Sequence, residues 1–399
     1  MNSVRRVAFF SDSFHEVNGV ALTSRQFEAF ARRRQFPFFS VHAGPHTRLD
    51  HDGQVTIYEL QRSAAAFNLE SDSELSFDLL LWRYRKDLLE AFSSFRPELL
   101  HVTGPGDIGM LGAWMAHELR IPLVASWHTN VHEYAGRRLE KLLSFLPAGP
   151  VQVVSQAAER GALNGAARFY GIARLLFAPN QELVELLATR TRKPCFLMQR
   201  GVDAEMYTPR KREDGPRPFT IGYVGRLSVE KNVRFLADLE HAIIAAGHTD
   251  YKFLIIGPGG EEEWLRQNMQ RAEIPGVLRG EELARAYASM DVFAFPSHTD
   301  TFGNVILEAL ASGVPAVVTI CGGPKFLVRS GVTGFVAADD RAFVRCVLEL
   351  MDDREQHERM RRAARDHACS ISWDRVFEKV YDTYENNLFP LTSPIRAAS

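Results

Sequence analysis

Asp300 and Glu308 lie eight positions apart in the string PSHTDTFGNVILEALASGVP, and carboxylates so placed can each hold adjacent hydroxyls of a ligand. The string predicts a loop over Pro296–Gly303 and a short helix over Asn304–Ser312. Gly313 follows as its left-handed terminator, and Pro315 prevents continuation. On that helix Asn304 and Glu308 share a face, while Val305, Ile306, Leu307 and Leu310 supply packing. The backbone amides of Gly303, Asn304 and Val305 open from the helix N-terminus, where a diphosphate is favoured. The chemistry suits a nucleotide sugar, with Glu308 on the ribose and Asp300 on the other sugar. The two acids alone fit equally well a solvated loop acid and an acid compensating a helix dipole.

A second group follows a strand-like run: Gly225-Arg226-Leu227-Ser228-Val229-Glu230-Lys231. Gly225 permits a tight turn. Arg226, as a fork, and Lys231, as a point charge, can both reach a diphosphate and neutralise it as a leaving group. Taken alone, the segment fits an exposed basic loop better. Its convergence with the first group at one sheet edge favours the functional reading. Gly257-Pro258-Gly259-Gly260 and Gly322-Gly323-Pro324 fall at the same edge, where pocket lining and plain turn chemistry both explain them.

These groups need strands to carry them. Strand-like runs at Val7–Phe10, Phe38–Val41, Leu99–Val102, Leu123–Trp127, Val151–Val154 and Leu175–Ala178 alternate with helical stretches such as Thr23–Arg34 and Ile108–Leu119. Such alternation predicts parallel βαβ units. A proline-rich, charged stretch at Tyr207–Pro218 reads as a linker. A second series follows, with strands at Phe219–Val224, Phe253–Ile256, Val277–Leu278, Val292–Pro296 and Ala316–Thr319. Its helices are predicted at Val233–Ala246 and Glu261–Ala272. The pattern predicts two open α/β sheets, whose ligands bind outside the carboxyl ends of strands.

The composition excludes several classes. The 399 residues suffice for two domains, and a net charge of −2 argues against a dedicated nucleic-acid binder. Cys195, Cys321, Cys346 and Cys369 are scattered, with no zinc or redox spacing. The N-terminus lacks a signal-peptide pattern, and no apolar run approaches bilayer length, so a cytoplasmic protein is expected, at most peripheral on the membrane. Leu79–Phe95 and His132–Leu146 mix basic and apolar residues. They read either as membrane-surface helices or as packed helices with a solvated basic face.

Together these segments resemble the E-x7-E motif and its surroundings in retaining glycosyltransferases of family 4. The likeness covers nearly the whole chain: FFSDSFHEVNGVA near the N-terminus, SWHTNVHEYA at Ser126–Ala135, RGVD at Arg200–Asp203, GRLSVEK, and SISWDRVFEKVYDTYE near the end. Bacterial lipid glycosyltransferases, such as phosphatidylinositol mannosyltransferases and sulfoquinovosyl diacylglycerol synthases, are nearest. The resemblance implies the GT-B fold, two Rossmann-like doubly wound domains facing across a cleft. It assigns residues 1–206 to an acceptor domain, with a helix over 373–389 packing back on it, and 207–372 to a donor domain.

By that resemblance Arg226 and Lys231 are the diphosphate pair, Glu308 binds the ribose, and Asp300 stands where the family has a glutamate, one methylene longer. Gly19, in the loop after the first strand, would let backbone approach the phosphates, and His128 would face the reacting centre. Asp12 and His15 would lie on the acceptor side. His132, four residues beyond His128, lacks a third ligand for a metal. The implied reaction is metal-independent transfer, with retention, from a nucleotide sugar to a lipid or glycan hydroxyl. GDP-mannose is the first donor to test. UDP-glucose, UDP-sulfoquinovose and UDP-N-acetylglucosamine are alternatives. A nucleotide-sugar epimerase of the same fold and a catalytically silent nucleotide-sugar-binding protein are the rival functions. Oligomeric state is not fixed by the sequence.

Overall fold

The computed structural model describes residues 4–16, 19–64, 66–68, 76–128, 160–213, 215–300 and 302–389. The strand expected at Val151–Val154, the basic segment His132–Leu146 and the tail Leu391–Ser399 lie outside these. The chain divides into two compact units. One is Met1–Gln199 with Phe377–Ser399, the other Arg200–Val376.

The first unit contains β1 (Val7–Ser11), β2 (Phe38–Gly44), β3 (Arg48–Asp52), β4 (Val55–Gln61), a small antiparallel pair β5 (Phe67–Asn68) and β6 (Ser76–Phe77), then β7 (Leu99–Val102), β8 (Leu123–Ser126), β9 (Leu175–Ala178) and β10 (Cys195–Leu197). The main sheet runs β10-β9-β8-β7-β1-β2-β4-β3, parallel except for β3. Every residue of β1, β7, β8 and β9 is buried, as expected of strands covered on both faces. The helix Trp373–Leu388 contributes to this unit from Phe377 onward. Phe377 stacks on Phe27 at 4.4 Å between centroids, and the Tyr384 hydroxyl lies 2.6 Å from His101 Nδ1 in the core.

The second unit contains β11 (Phe219–Val224), β12 (Tyr251–Ile256), β13 (Ala272–Gly276), β14 (Val292–Phe295), β15 (Ala316–Thr319) and β16 (Gly334–Ala337). These form one parallel sheet in the order β13-β12-β11-β14-β15-β16, the doubly wound arrangement.

Several expectations need correction. The strand placed at Val277–Leu278 is β13, and the preceding helix stops at Asn268 instead of Ala272. β13 is an edge strand holding Pro275, and Ile274 is its one fully buried residue, so its apolar pattern is weak. The stretch Tyr207–Pro218 is not a free linker. Arg212 and Arg217 both pair with the buried carboxylate of Asp291, which also accepts from the Thr220 amide at 2.9 Å. Lys211 pairs with Glu281 at 2.6 Å. Composition shows the charges but not partners that lie far along the chain.

Leu79–Phe95 is no continuous amphipathic helix. A 3-10 turn over Leu79–Tyr84 gives way to a helix over Arg85–Phe95. Leu81, Leu88 and Phe92 sit in the core of the first unit, and Trp82 packs on Trp114. Those apolar side chains are covered by protein, while Leu80 is 54% exposed. Among the described residues, no helix is long and apolar enough to cross a membrane.

Candidate active site

In the second sheet the winding direction reverses between β11 and β14. The crevice at the carboxyl ends of those two strands is where doubly wound sheets bind ligands. Arg226 and Lys231 follow β11, and Asp300 follows β14. Lys231 Nζ donates to Asp300 Oδ1 at 2.6 Å, joining the two predicted groups directly. The pair is 16% and 20% exposed, so it is shielded yet open to a ligand. Asp300 Oδ2 is buried without a partner among the described residues. The Arg226 side chain is exposed, while its carbonyl accepts from the Tyr223 hydroxyl at 3.0 Å.

The loops after β11 and β12 lock together through backbone. The amides of Gly225 and Leu227 donate to Ile256 and Pro258 carbonyls, and Glu261 donates to the Leu227 carbonyl. Gly257 has φ +140°, and a Cβ there would lie 1.9 Å from the Gly225 carbonyl oxygen. Gly257 and Gly259, whose Cβ atoms would strike the Gly225 and Leu227 carbonyl oxygens, therefore hold the Arg226 loop in shape.

The helix following Asp300 spans Asn304–Ala311, and Gly303 before it sits at φ 94°. No side chain caps its start; the Ile306 amide donates to the Gly303 carbonyl at 3.0 Å, which leaves the amides of Asn304 and Val305 facing out of the helix end. Val305 packs against the core and Gly313 has φ +69°, as a terminating glycine requires. The Gly323 amide donates to the Asp300 carbonyl at 2.6 Å, so the loop after β15 supports the acid's loop.

Glu308 is half-buried, and its Oε2 accepts from the Tyr287 hydroxyl at 2.8 Å. Burial pushes its carboxyl up to about 7, with the Tyr287 hydrogen bond pulling the other way. Tyr287, on the helix Gly280–Ser289, is fully buried and carries no motif spacing that would reveal it. Tyr287→Phe is expected to raise the Glu308 pKa further and the donor KM several-fold. Stability should fall by about 1 kcal/mol. Paired kinetics and thermal denaturation check this.

Arg200 is a second residue whose place in the site its motif did not reveal. It is buried, its guanidinium lies over the Phe302 ring at 5.5 Å, and Nη1 donates to Asn304 Oδ1 at 3.2 Å. Desolvation lowers its pKa to about 10, with Asp300 opposing.

In the first unit, His128 lies just past β8 and is buried, with Nε2 2.7 Å from Ser126 Oγ. Gly19 is the first residue of the helix Gly19–Arg34, not part of the preceding loop. Asp12 does not stand free on an acceptor surface: its carboxylate accepts from the amides of Gly106 and Gly109 at 3.1 and 2.8 Å. These lie at the start of the helix Asp107–Leu119, so Asp12 caps it. His15 is exposed and 3.3 Å from Glu59. His132 lies outside the described residues.

Residues 19–206 match the family described as Glycosyltransferase Family 4, and residues 218–353 match Glycosyl transferases group 1. A GDP-mannose-dependent alpha-mannosyltransferase of Mycolicibacterium smegmatis is 30% identical over 313 residues, covering 75% of this chain and 76% of the relative. A protein of the same description from Corynebacterium glutamicum is 30% identical over 298 residues; the match covers 72% of this chain but 65% of that protein's length, just under two thirds. Sulfoquinovosyl transferase SQD2 of Arabidopsis thaliana is 29% identical, covering 73% of this chain and 57% of the relative. Among solved structures, Anabaena HepE in complex with UDP matches with a TM-score of 0.66 at 17% identity, covering 96% of this chain and 100% of that one. Sucrose-phosphate synthase of Thermosynechococcus elongatus matches at 0.69 and 15% identity, covering 95% and 98%. At such identities the structural likeness is one of fold. The family matches and the Mycolicibacterium relative together show that the chain belongs to glycosyltransferase family 4, and its fold is GT-B.

Proposed function

We propose that the protein transfers a hexosyl group from a nucleotide-diphosphate sugar, GDP-mannose first among them, to a lipid or glycan hydroxyl with retention of configuration. The observation that carries this reading is the Lys231–Asp300 pair at the switch point of the second sheet, beside an uncapped helix N-terminus. The similarity to GDP-mannose-dependent relatives favours that donor, and the lipid acceptor rests on the sequence resemblance to lipid glycosyltransferases.

In this reading the diphosphate enters between Lys231 and Arg226, with the amides of Asn304 and Val305 facing it. As the sugar–phosphate bond breaks, negative charge grows on the leaving diphosphate, and these groups stabilise it. Glu308 accepts from the ribose hydroxyls. Asp300 exchanges part of its contact with Lys231 for the transferred sugar. Gly19 and His128, in the first unit, are proposed as further contributors to transfer on the strength of the sequence resemblance. No magnesium or manganese takes part in the transfer. A lipid acceptor places the enzyme peripherally on the cytoplasmic face of a membrane.

A thermal-shift series with GDP-mannose, UDP-glucose and UDP-sulfoquinovose tests the donor. The cognate compound at 100 times its Kd should add about 2.7 kcal/mol. Glu308→Ala should abolish most of that gain, and no stabilisation by any nucleotide sugar would sink the proposal. Product analysis with and without acceptor separates transfer from epimerisation.

The Glu308 carboxyl, raised to about 7, gives a pH signature. Hydroxyls donate best to its ionised form, so donor KM should rise as pH falls through 7. The sign for stability is opposite. The folded-state pKa exceeds the ordinary 4.5, so the unliganded protein favours the protonated acid. That contribution is present below about 4.5 and is lost as pH rises through 7. Glu308→Gln should therefore lose less stability than the parent between pH 4.5 and 7, by at most about 1.4 kcal/mol per pH unit. Donor kinetics and urea unfolding across that range measure the two effects.

A further inference from the structure

We propose that His15, His42 and Glu59 in the first unit form a binding site for one divalent transition-metal ion of the zinc type. One ligand atom from each lies within 4.8 Å of the others. His42 and Glu59 are register partners on the parallel strands β2 and β4, and His15 lies in the loop after β1. His42 and Glu59 lie in the carboxyl-terminal halves of their strands and His15 just beyond β1, toward the edge at which such sheets bind ligands.

The site has buried walls. His42 and Glu59 are 1% and 2% exposed, and His42 Nε2 has no hydrogen-bond partner among the described residues. An orphaned imidazole nitrogen in a buried place calls for a partner. The Phe14 ring stacks flat on His42 at 3.8 Å and fixes its plane. Gly44 leaves room for the acid, since a Cβ there would fall 2.3 Å from Glu59 Cδ. The His46 amide donates to Glu59 Oε1 at 3.3 Å, an outer contact that orients the carboxylate.

Two imidazoles and a carboxylate are the donor set of zinc sites that keep a fourth position for water or a ligand. Imidazole donors select zinc, copper or nickel over magnesium and calcium. Ligand atoms about 2.0–2.1 Å from a tetrahedral ion stand roughly 3.4 Å apart, so a pair at the 4.8 Å limit must close by about 1.4 Å. His15 Nε2 already lies 3.3 Å from Glu59 Oε2, and its exposed loop lets the imidazole adjust toward His42. One cation already faces the acid: Arg48 Nη2 is 3.4 Å from Glu59 Oε2. Arg48 is 58% exposed and its Nε is 3.3 Å from Asp50, which can retain it when a metal takes Glu59.

The test uses untagged full-length protein, stripped with chelator and titrated calorimetrically with zinc sulfate, and separately with cobalt(II) under absorption spectroscopy. One equivalent of zinc should bind, and cobalt should give the intense ligand-field bands of a four-coordinate site. His15→Ala and Glu59→Gln should each weaken zinc binding at least tenfold, and magnesium should not saturate the parent. The proposal is overturned if the parent shows no saturable single site, or if His15→Ala binds zinc as the parent does. Should Glu59→Gln fail to fold, His15→Ala decides alone, because its imidazole is exposed.

Discussion

Lys231→Ala is expected to lower donor turnover by about 10²–10³-fold, the loss typical when one preorganised group facing developing transition-state charge is removed. The effect should fall mainly on kcat, because charge on the diphosphate grows as the bond breaks. Folding should change little. The Lys231–Asp300 pair is partly exposed, and such pairs contribute about 1 kcal/mol or less. Steady-state kinetics beside thermal denaturation separate the two. Turnover within threefold of the parent would remove Lys231 from the chemistry. Lys231→Arg should recover only part of the loss, because the planar fork cannot occupy the place of a compact ammonium 2.6 Å from Asp300.

Gly257→Ala should produce a large loss of stability. The new methyl would meet the Gly225 carbonyl oxygen at 1.9 Å, backbone against backbone, with φ at +140°. Strain at such a φ costs roughly 1–3 kcal/mol, and the overlap adds to it. A total of about 3 kcal/mol or more corresponds to a Tm drop of roughly 6–12 °C for a unit of this size. Gly260→Ala is the internal control. Nothing lies within 4 Å of its Cβ position, so it should stay within about 0.5 kcal/mol of the parent. Urea unfolding of both variants decides whether the loop after β12 shapes the Arg226 loop. Equal stability of the two would show that it does not.

Much of this architecture is legible in the chain because parallel strands are buried on both faces and appear as short apolar runs. FTIGYV at β11 and VFAF at β14 are clear examples. The link between Lys231 and Asp300 follows from the same logic, since both follow strands that flank the switch point. What escaped the sequence has a common cause. β4, the edge strand β13 and the anchoring of Tyr207–Pro218 depend on partners elsewhere in the chain. Tyr287 looks like any core aromatic until Glu308 is found 2.8 Å from its hydroxyl. Arg200 lay inside a motif, but its role needs Phe302 and Asn304 in view. The metal-ligating cluster joins residues from β2, β4 and the loop after β1, so no local spacing announces it.

The first unit is assembled from both ends of the chain, with Phe377 against Phe27 and Tyr384 against His101. On the ribosome it cannot be finished when Gln199 emerges. At roughly 5–20 residues per second, the segment bearing Phe377 follows on the order of 10–40 s later. The second unit, Arg200–Val376, is synthesised without interruption in that interval. The later-made half therefore matures first, while an aromatic surface around Phe27 and Phe30 waits uncovered. Nascent-chain stalling before Phe377 should leave that surface open to chaperones, and release of the final helix should close it.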